Sequence, residues 1–403
     1  MRVLILSCNT GEGHNACARA LQESFHAKGI ACDREDAFRF ISRGLSQVVS
    51  DGFTSIYRHS PLIFDVGYKF SEKHPDLFDA DSGVYKMLTV GCDRLFRFLY
   101  SGGYDTVVCT HVFAALMVTD IRHRYPIALH TSFFPTDYTC YPGSAQCDLD
   151  TLFIPAADLA PDYIAAGVPE KTLLATGIPV RPAFYEKLDK AEARRRLGLP
   201  EHCRHLMVMC GSMGCGPLRK IAKLMQKQLP ENCIVTILCG TNKHLYETMR
   251  QSFADDARFR ILPFVKDIPT LMDASDLYLT KPGGLSVTEA AHKRLPMAFI
   301  HAVEGCESYN RAFFTQRGCA ISPETLPELA SETVALLMDD DRLAAMAKAQ
   351  ARHFPGNSTE QVVSALIDAD RPAPRGPARP ACPPSPTRKP KEASAHEITC
   401  ALC

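Results

Sequence analysis

The 403-residue chain has no tryptophan, no excess of either charge and no apolar run long enough to cross a bilayer. Its 45 basic and 45 acidic side chains cancel, which excludes a nucleic-acid binder working through bulk positive charge. The longest apolar stretches, such as Val3–Leu6 and Met207–Cys210, are strand-sized and far short of the ~18 residues that a spanning helix needs. A signal-peptide pattern is also lacking, because Arg2 is followed by only four apolar residues and then a polar, Gly-rich turn. The expectation is a cytoplasmic protein whose membrane contact is peripheral. Zinc-type pairing is missing too: the one C-x-x-C is Cys400–Cys403, with no second pair to complete four ligands. The closing Cys-Ala-Leu-Cys faintly resembles a prenylation box, but nothing upstream supports that reading and chance is the better explanation. No structural metal and no cofactor are expected.

Cysteine itself is plentiful, at 17. Cys8, Cys109, Cys210, Cys239 and Cys319 lie within apolar, strand-like runs, where a reduced thiol behaves as a small hydrophobe. A disulfide framework is not expected in a cytosolic chain of this length.

The length predicts two domains. Short apolar runs alternate with helical patterns throughout, the signature of parallel sheets covered by helices. The strand candidates are Arg2–Cys8, Gly29–Cys32, Thr106–Thr110, Ile127–Thr131 and Thr151–Ile154, then His205–Cys210, Ile234–Cys239, Phe259–Leu262, Leu277–Thr280 and Met297–His301. Ala16–Lys28 reads as a helix, with Leu21 and Phe25 on one face. The pattern restarts after Pro179–Pro200, which holds three prolines around a charged helical stretch.

The fold expected is α/β: two doubly wound Rossmann-like domains facing an interdomain cleft. Residues 1–178 form the first domain, with a helical insertion at 44–99. Residues 179–200 are the linker and 201–345 the second domain. A helical segment at 346–370 can pack back on the first domain. Residues 371–403 hold eight prolines between Pro372 and Pro390 and almost no large apolar side chains, a composition expected to stay disordered. In such sheets ligands bind beyond the carboxyl ends of the strands.

Two motifs carry chemistry. Gly11-Glu12-Gly13-His14-Asn15-Ala16 follows the first strand and opens a helix, with Asp33 about 20 residues further on. Alone it reads equally as a dinucleotide fingerprint, a catalytic loop facing an acceptor, or a tight turn. His14 stands at a helix N-terminus, where the dipole favours the neutral imidazole, a base for a substrate hydroxyl. The second motif, Lys281-Pro282-Gly283-Gly284-Leu285-Ser286-Val287-Thr288-Glu289, follows another strand and opens another helix. Its backbone N–H groups form an anion-binding start, and Glu289 is placed to accept from a ribose diol. A nucleotide site in each half argues against a simple dehydrogenase.

Together with Thr136-Asp137, Gly177-Ile178-Pro179-Val180-Arg181-Pro182 and Gly211–Gly214, these motifs resemble the monogalactosyldiacylglycerol synthase and processive diacylglycerol glucosyltransferase family, of GT-B fold. The resemblance covers residues 2–365. It implies an inverting transfer of a hexose from UDP-glucose or UDP-galactose to the hydroxyl of diacylglycerol, with no metal. His14 would be the general base in the acceptor loop with Gly11 and Gly13, and Asp137 would orient His14 or the acceptor. Gly211, Ser212, Gly214, Gly283, Gly284, Leu285 and Ser286 would line the diphosphate, and Glu289 the ribose. Glu307 and Asn310 would hold the donor sugar, but Cys306 stands where relatives carry Gln, and a thiol is a poor hydrogen-bond partner. Arg181 has two readings, a diphosphate contact or packing at the hinge. The alternatives are a GT-B enzyme with another lipid or small-molecule acceptor, or an NAD-dependent oxidoreductase using Gly11–Ala16 and Asp33.

Access to a lipid at the inner face of the cell membrane draws attention to the 44–99 insertion. It carries Phe53, Ile56, Tyr57, Leu62, Ile63, Phe64, Tyr68 and Phe70, with Arg43, Arg58, Lys69 and Lys73 nearby. Resting on an anionic bilayer and packing on the first domain are equal readings. Bulk charge does not bring the protein to a lipid. Residues 371–403 have six basic and two acidic side chains, which leaves 1–370 at −4.

Overall fold

The computed structural model describes residues 1–9, 11–42, 44, 68–300 and 305–369. They form two compact units, Met1–Pro179 with the segment that begins at Ser358, and Val180–Asn357. Each is an α/β unit built on one six-stranded sheet whose strand pairings are all parallel.

In the first unit the strands are β1 (Arg2–Ser7), β2 (Ala31–Asp36), β3 (Thr106–Cys109), β4 (His130–Phe133), β5 (Thr151–Ile154) and β6 (Leu173–Ala175). Their order is β2-β1-β3-β4-β5-β6. The chain steps outward from β1 to β2 and then re-enters on the other side of β1 at β3. The switch point therefore lies between the carboxyl ends of β1 and β3, where helices on the two sides diverge and leave a crevice. In the second unit β7 (Arg204–Met209), β8 (Cys233–Leu238), β9 (Phe259–Leu262), β10 (Leu277–Thr280), β11 (Met297–Phe299) and β12 (Ala320–Ile321) run in the order β12-β11-β10-β7-β8-β9. Here the switch point lies between β7 and β10.

Why these segments fold this way is plain in their burial. Val3 to Leu6 are fully buried, as expected of a central parallel strand covered on both faces. The helix Glu12–Ala27 buries Cys17, Ala18, Leu21 and Phe25 on one side. In the second unit Leu206, Val208, Ile221, Leu279 and Leu336 share one core. Cys8, Cys109, Cys210, Cys239 and Cys319 are free and buried, as small hydrophobes. Burial pushes the Cys210 thiol up to about 12 and those of Cys239 and Cys319 up to about 11.

Two strands differ from expectation by more than two residues at one end, and two further strands were not expected. β2 runs to Asp36 instead of ending at Cys32, because an edge strand buries little and tolerates the polar run Asp33–Asp36. β4 starts at His130, its register set by pairing Thr106 with His130 and Cys109 with Phe133. β6 and β12 are two or three residues long, too short to leave a periodic signal.

The helix Lys190–Leu197, within the expected linker, is capped by Asp189 and Gly198 and belongs to the second unit. Its Arg194 is buried and pairs with Asp276 at 2.7 Å. At the carboxyl end, the helix Asp340–His353 belongs to the second unit, whereas Ser358–Asp368 belongs to the first. Lys28 pairs with Glu360. Gly177 has φ 84°, and a Cβ there would collide with Ser358 Oγ. The glycine of the Gly-Ile-Pro-Val-Arg-Pro motif is thus needed where the returning helix begins.

Of the 44–99 insertion, residues 45–67, with Phe53 to Phe64 among them, and Arg43 lie outside the described residues, as does the tail from 370. The described remainder includes helices Gly83–Thr89 and Cys92–Gly102, whose Leu88, Cys92, Leu95 and Leu99 are buried in the first unit's core. Tyr68 is buried, while Phe70, Val90 and Tyr100 are exposed. Among the described residues, no helix is long and apolar enough to cross a membrane.

Candidate functional site

Both motif loops stand at the switch points. In the first unit, Gly11 is the N-cap of the helix Glu12–Ala27 and no side chain caps it. His14 is in the first turn, half-buried. Its Nδ1 lies 2.6 Å from the carbonyl oxygen of Thr110, the residue after β3, and 3.2 Å from Thr136 Oγ1. A carbonyl only accepts, so Nδ1 carries the proton and Nε2 keeps its lone pair. The imidazole is thereby fixed as the tautomer that can take a proton at Nε2. Burial lowers its pKa, while the Thr110 carbonyl and the Asp137 charge pull the other way.

His111, the N-cap of the helix Val112–Arg124, meets the His14 ring edge-on at 4.6 Å. It accepts from the Phe113 N–H at Nδ1. Burial, reinforced by His14, holds it well below the ordinary histidine value, so it is neutral beside His14. Asp137, in the loop after β4, accepts from the Tyr141 hydroxyl, and Tyr141 Oη lies 3.3 Å from Thr136 Oγ1. Asp137 therefore connects to His14 through two hydroxyls. Gly13 has a different meaning from a turn glycine: a Cβ added there meets nothing within 4 Å. A helical glycine costs up to ~1 kcal/mol relative to alanine, and nothing within the described chain repays it. Close approach of a ligand would.

Asp33 does not fill the dinucleotide role. It lies mid-strand in β2, and its Oδ2 accepts from Arg2 Nη2 at 3.0 Å and from Tyr104 Oη at 2.7 Å. Those two donors hold its carboxyl below the usual range. The oxidoreductase alternative thus loses its ribose ligand.

In the second unit, Gly211, Ser212 and Gly214 form the loop after β7. Gly214 has φ 59°, and a Cβ there would run into the Cys239 carbonyl. The loop is tied down by Thr241 N–H donating to Ser212 O at 2.8 Å and Asn242 Nδ2 donating to Gly214 O at 3.1 Å. After β10, Gly283 is the N-cap of the helix Gly284–His292, again with no side-chain cap. Gly284, Leu285 and Ser286 make its first turn, and Glu289 follows, 9% exposed.

Lys281 joins the two loops. Its Cε would be 3.3 Å from a Cβ on Gly211 and 3.8 Å from one on Gly283. Its Nζ donates to Glu307 Oε1 at 2.5 Å. Asn310, from the same helix Cys306–Gln316, donates to Pro282 O at 2.9 Å. The structure thus gathers Gly211, Gly283, Glu307 and Asn310 around one ammonium group and one helix N-terminus, an arrangement suited to a diphosphate. Cys306 opens the helix that carries Glu307. Arg181 lies with its guanidinium 5.2 Å from the Phe184 ring centre.

Lys281, Thr110, Thr136, His111 and Tyr141 were not singled out as site residues by sequence reasoning. A cation beside a Gly-Gly turn and the threonine of Thr136-Asp137 were available signals. A backbone carbonyl and a tyrosine in a loop leave none.

Residues 14–180 match the monogalactosyldiacylglycerol (MGDG) synthase family, and residues 205–362 match the glycosyltransferase family 28 C-terminal domain. A processive diacylglycerol beta-glucosyltransferase of Bacillus mycoides (strain KBAB4) is 24% identical over 396 residues, covering 91% of this chain and 93% of the relative. One from Bacillus subtilis (strain 168) is 24% identical over 383 residues, covering 91% and 94%. Among solved structures, MurG of Acinetobacter baumannii superposes with a TM-score of 0.61 at 16% identity, over 91% of this chain and 99% of that one. That likeness is one of fold, GT-B.

Proposed function

From a chain that is a glycosyltransferase of the monogalactosyldiacylglycerol synthase family, with a family 28 C-terminal domain, we propose an activity: transfer of a hexose from a UDP-sugar to the free hydroxyl of diacylglycerol, with inversion. UDP-glucose and UDP-galactose are the two donors to compare. The observation that carries this reading is that the first unit holds a tautomer-fixed histidine at its switch point, while the second unit holds Lys281 beside two glycine turns at its own.

In the proposed reaction the UDP moiety lies along Gly211–Gly214 and Gly283–Ser286, with Glu289 accepting from the ribose hydroxyls. Glu307 and Asn310 hold the donor sugar, and Lys281 lies beside the diphosphate. His14 Nε2 takes the proton of the acceptor hydroxyl. The hydroxyl oxygen bonds to the anomeric carbon as the bond to the β-phosphate oxygen breaks, its electron pair leaving with UDP. The α-linked donor becomes a β-glycoside. The N-terminus of the Gly284–His292 helix and Lys281 stabilise the charge that develops on the leaving diphosphate. No carboxylate pair flanking the sugar is required.

The acceptor is a membrane lipid, so the protein would meet the inner face of the cell membrane peripherally. Exposed Phe70, Val90 and Tyr100 on the first unit support such contact. The test is UDP release in mixed micelles containing diacylglycerol, run with each donor and with product lipids resolved. A glycosyl-diacylglycerol formed in step with UDP release is expected. UDP release equally fast without diacylglycerol, or none with either donor, would contradict the reading.

A further inference from the structure

The hydrogen bonds behind His14 have a direction, and one residue outside the helix sets it. Tyr141 Oη–H donates to the Asp137 carboxylate, which commits the phenol's single proton. The 3.3 Å contact between Thr136 and Tyr141 must then be made by the Thr136 proton, donated to the phenol oxygen. Thr136 Oγ1 is left with lone pairs facing His14 Nδ1 at 3.2 Å, beside the Thr110 carbonyl at 2.6 Å. Every O–H in the chain points away from His14 and toward Asp137.

We propose that Tyr141 is a positioning residue for proton transfer. It orients the Thr136 hydroxyl as an acceptor, so that the Asp137 charge supports the imidazolium formed when His14 takes the acceptor's proton. This rests on the reading of His14 as the base. The energetic logic is that of a second acceptor behind a catalytic histidine: the neutral ring is held in one tautomer, and the charged ring finds acceptors already aligned. Without the phenol oxygen, Thr136 loses the acceptor for its proton, its hydroxyl rotates, and Asp137 is cut off from the ring.

Among the described residues, the other titratable groups beside His14 do not replace this chain. Burial, reinforced by His14, holds His111 well below the ordinary histidine value. Glu12, on the same helix, is paired with Arg19 at 2.9 Å.

The experiment is the pH profile of kcat/KM for Tyr141→Phe in diacylglycerol mixed micelles, with UDP affinity measured alongside. The chain favours protonated His14, so its loss lowers the His14 pKa. Neutral His14 is the active form, and the acid limb therefore moves to lower pH, by about half a unit to one unit. The plateau of kcat falls roughly tenfold, the loss of about one hydrogen bond in the transition state, and the UDP dissociation constant stays at the wild-type value. Asp137→Asn shifts the limb the same way, and the double variant adds little to either single one. A fall in kcat with an unmoved acid limb, or no fall at all, overturns the proposal. If Tyr141→Phe does not fold, Thr136→Val breaks the same chain and is read by the same criteria. His14→Ala separates the two levels. Wild-type turnover in that variant removes the base itself, whereas an inactive His14→Ala with an unmoved Tyr141→Phe limb removes only the relay.

Discussion

The two units solve the same topological problem with opposite chemistry. Each opens a crevice where the strand order reverses, between β1 and β3 in one and between β7 and β10 in the other. In the first, the groups proposed to manage a proton stand there: His14, the Thr110 carbonyl, Thr136 and, behind them, Tyr141 and Asp137. In the second, the groups proposed to manage negative charge stand there: two glycine turns, a helix N-terminus and Lys281 paired to Glu307. A doubly wound sheet therefore fixes where a ligand sits but not what is done to it.

The largest effect should come from the proton side. His14→Ala is expected to lower turnover by roughly 10²–10⁴-fold, the range for loss of a general base, measured as product lipid formed per minute. A variant within a few-fold of wild type would erase the distinction between the two crevices.

Next comes the charge side. Lys281→Ala removes the ammonium group between the two turns and leaves the buried Glu307 without it. The UDP dissociation constant should rise by about 10- to 30-fold, as for loss of a charge-assisted contact, while the acid limb of the rate profile stays in place. Calorimetric titration with UDP reads the first, and unchanged affinity would remove Lys281 from the site.

A smaller effect concerns acid stability of the second unit. Burial holds His205 at about 4 and His292 at about 3, so both stay neutral when folded. The unfolded chain takes up protons below the ordinary value near 6.5. The stability due to these buried neutral rings is complete above that pH and is lost as pH falls through 6.5 toward 4. His205→Gln should shrink the loss of stability between pH 7 and pH 5 by about 1–2 kcal/mol, read by urea unfolding at the two pH values. An unchanged difference would show that His205 does not govern it.

The smallest concerns the glycines. Gly214 is demanded by its own chain, through its φ and the Cys239 carbonyl, whereas Gly13 faces open space. Gly13→Ala should leave the fold intact and stabilise it by up to ~1 kcal/mol, yet raise KM for the lipid acceptor. Unchanged acceptor kinetics would reduce Gly13 to a helix residue without a ligand.

How much of this was legible in the sequence differs between the crevices. The donor-type turn announces itself, because Lys281-Pro282-Gly283-Gly284 follows an apolar strand and opens a helix, and each residue type has a local reason to be there. Even so, Lys281 was passed over for the glycines around it, although a cation beside an anion-binding turn is a physical signal. The proton crevice joins the turn after β1 to Thr110 after β3 and Thr136 after β4, which lie 96 and 122 residues from His14 along the chain. Only tertiary structure brings Thr110 and Thr136 to the ring. Asp33 misled for the converse reason. Its spacing from the glycine motif matched a ribose ligand, but β2 continues to Asp36 and leaves Asp33 mid-strand under Arg2 and Tyr104.

The central claim is that one crevice handles the proton and the other the nucleotide. Its most direct test is the UDP dissociation constant of His14→Ala, measured by titration calorimetry on the same preparation used for turnover. The account predicts wild-type affinity in a protein that has lost its activity. A weakening of UDP binding in proportion to the loss of turnover would contradict it.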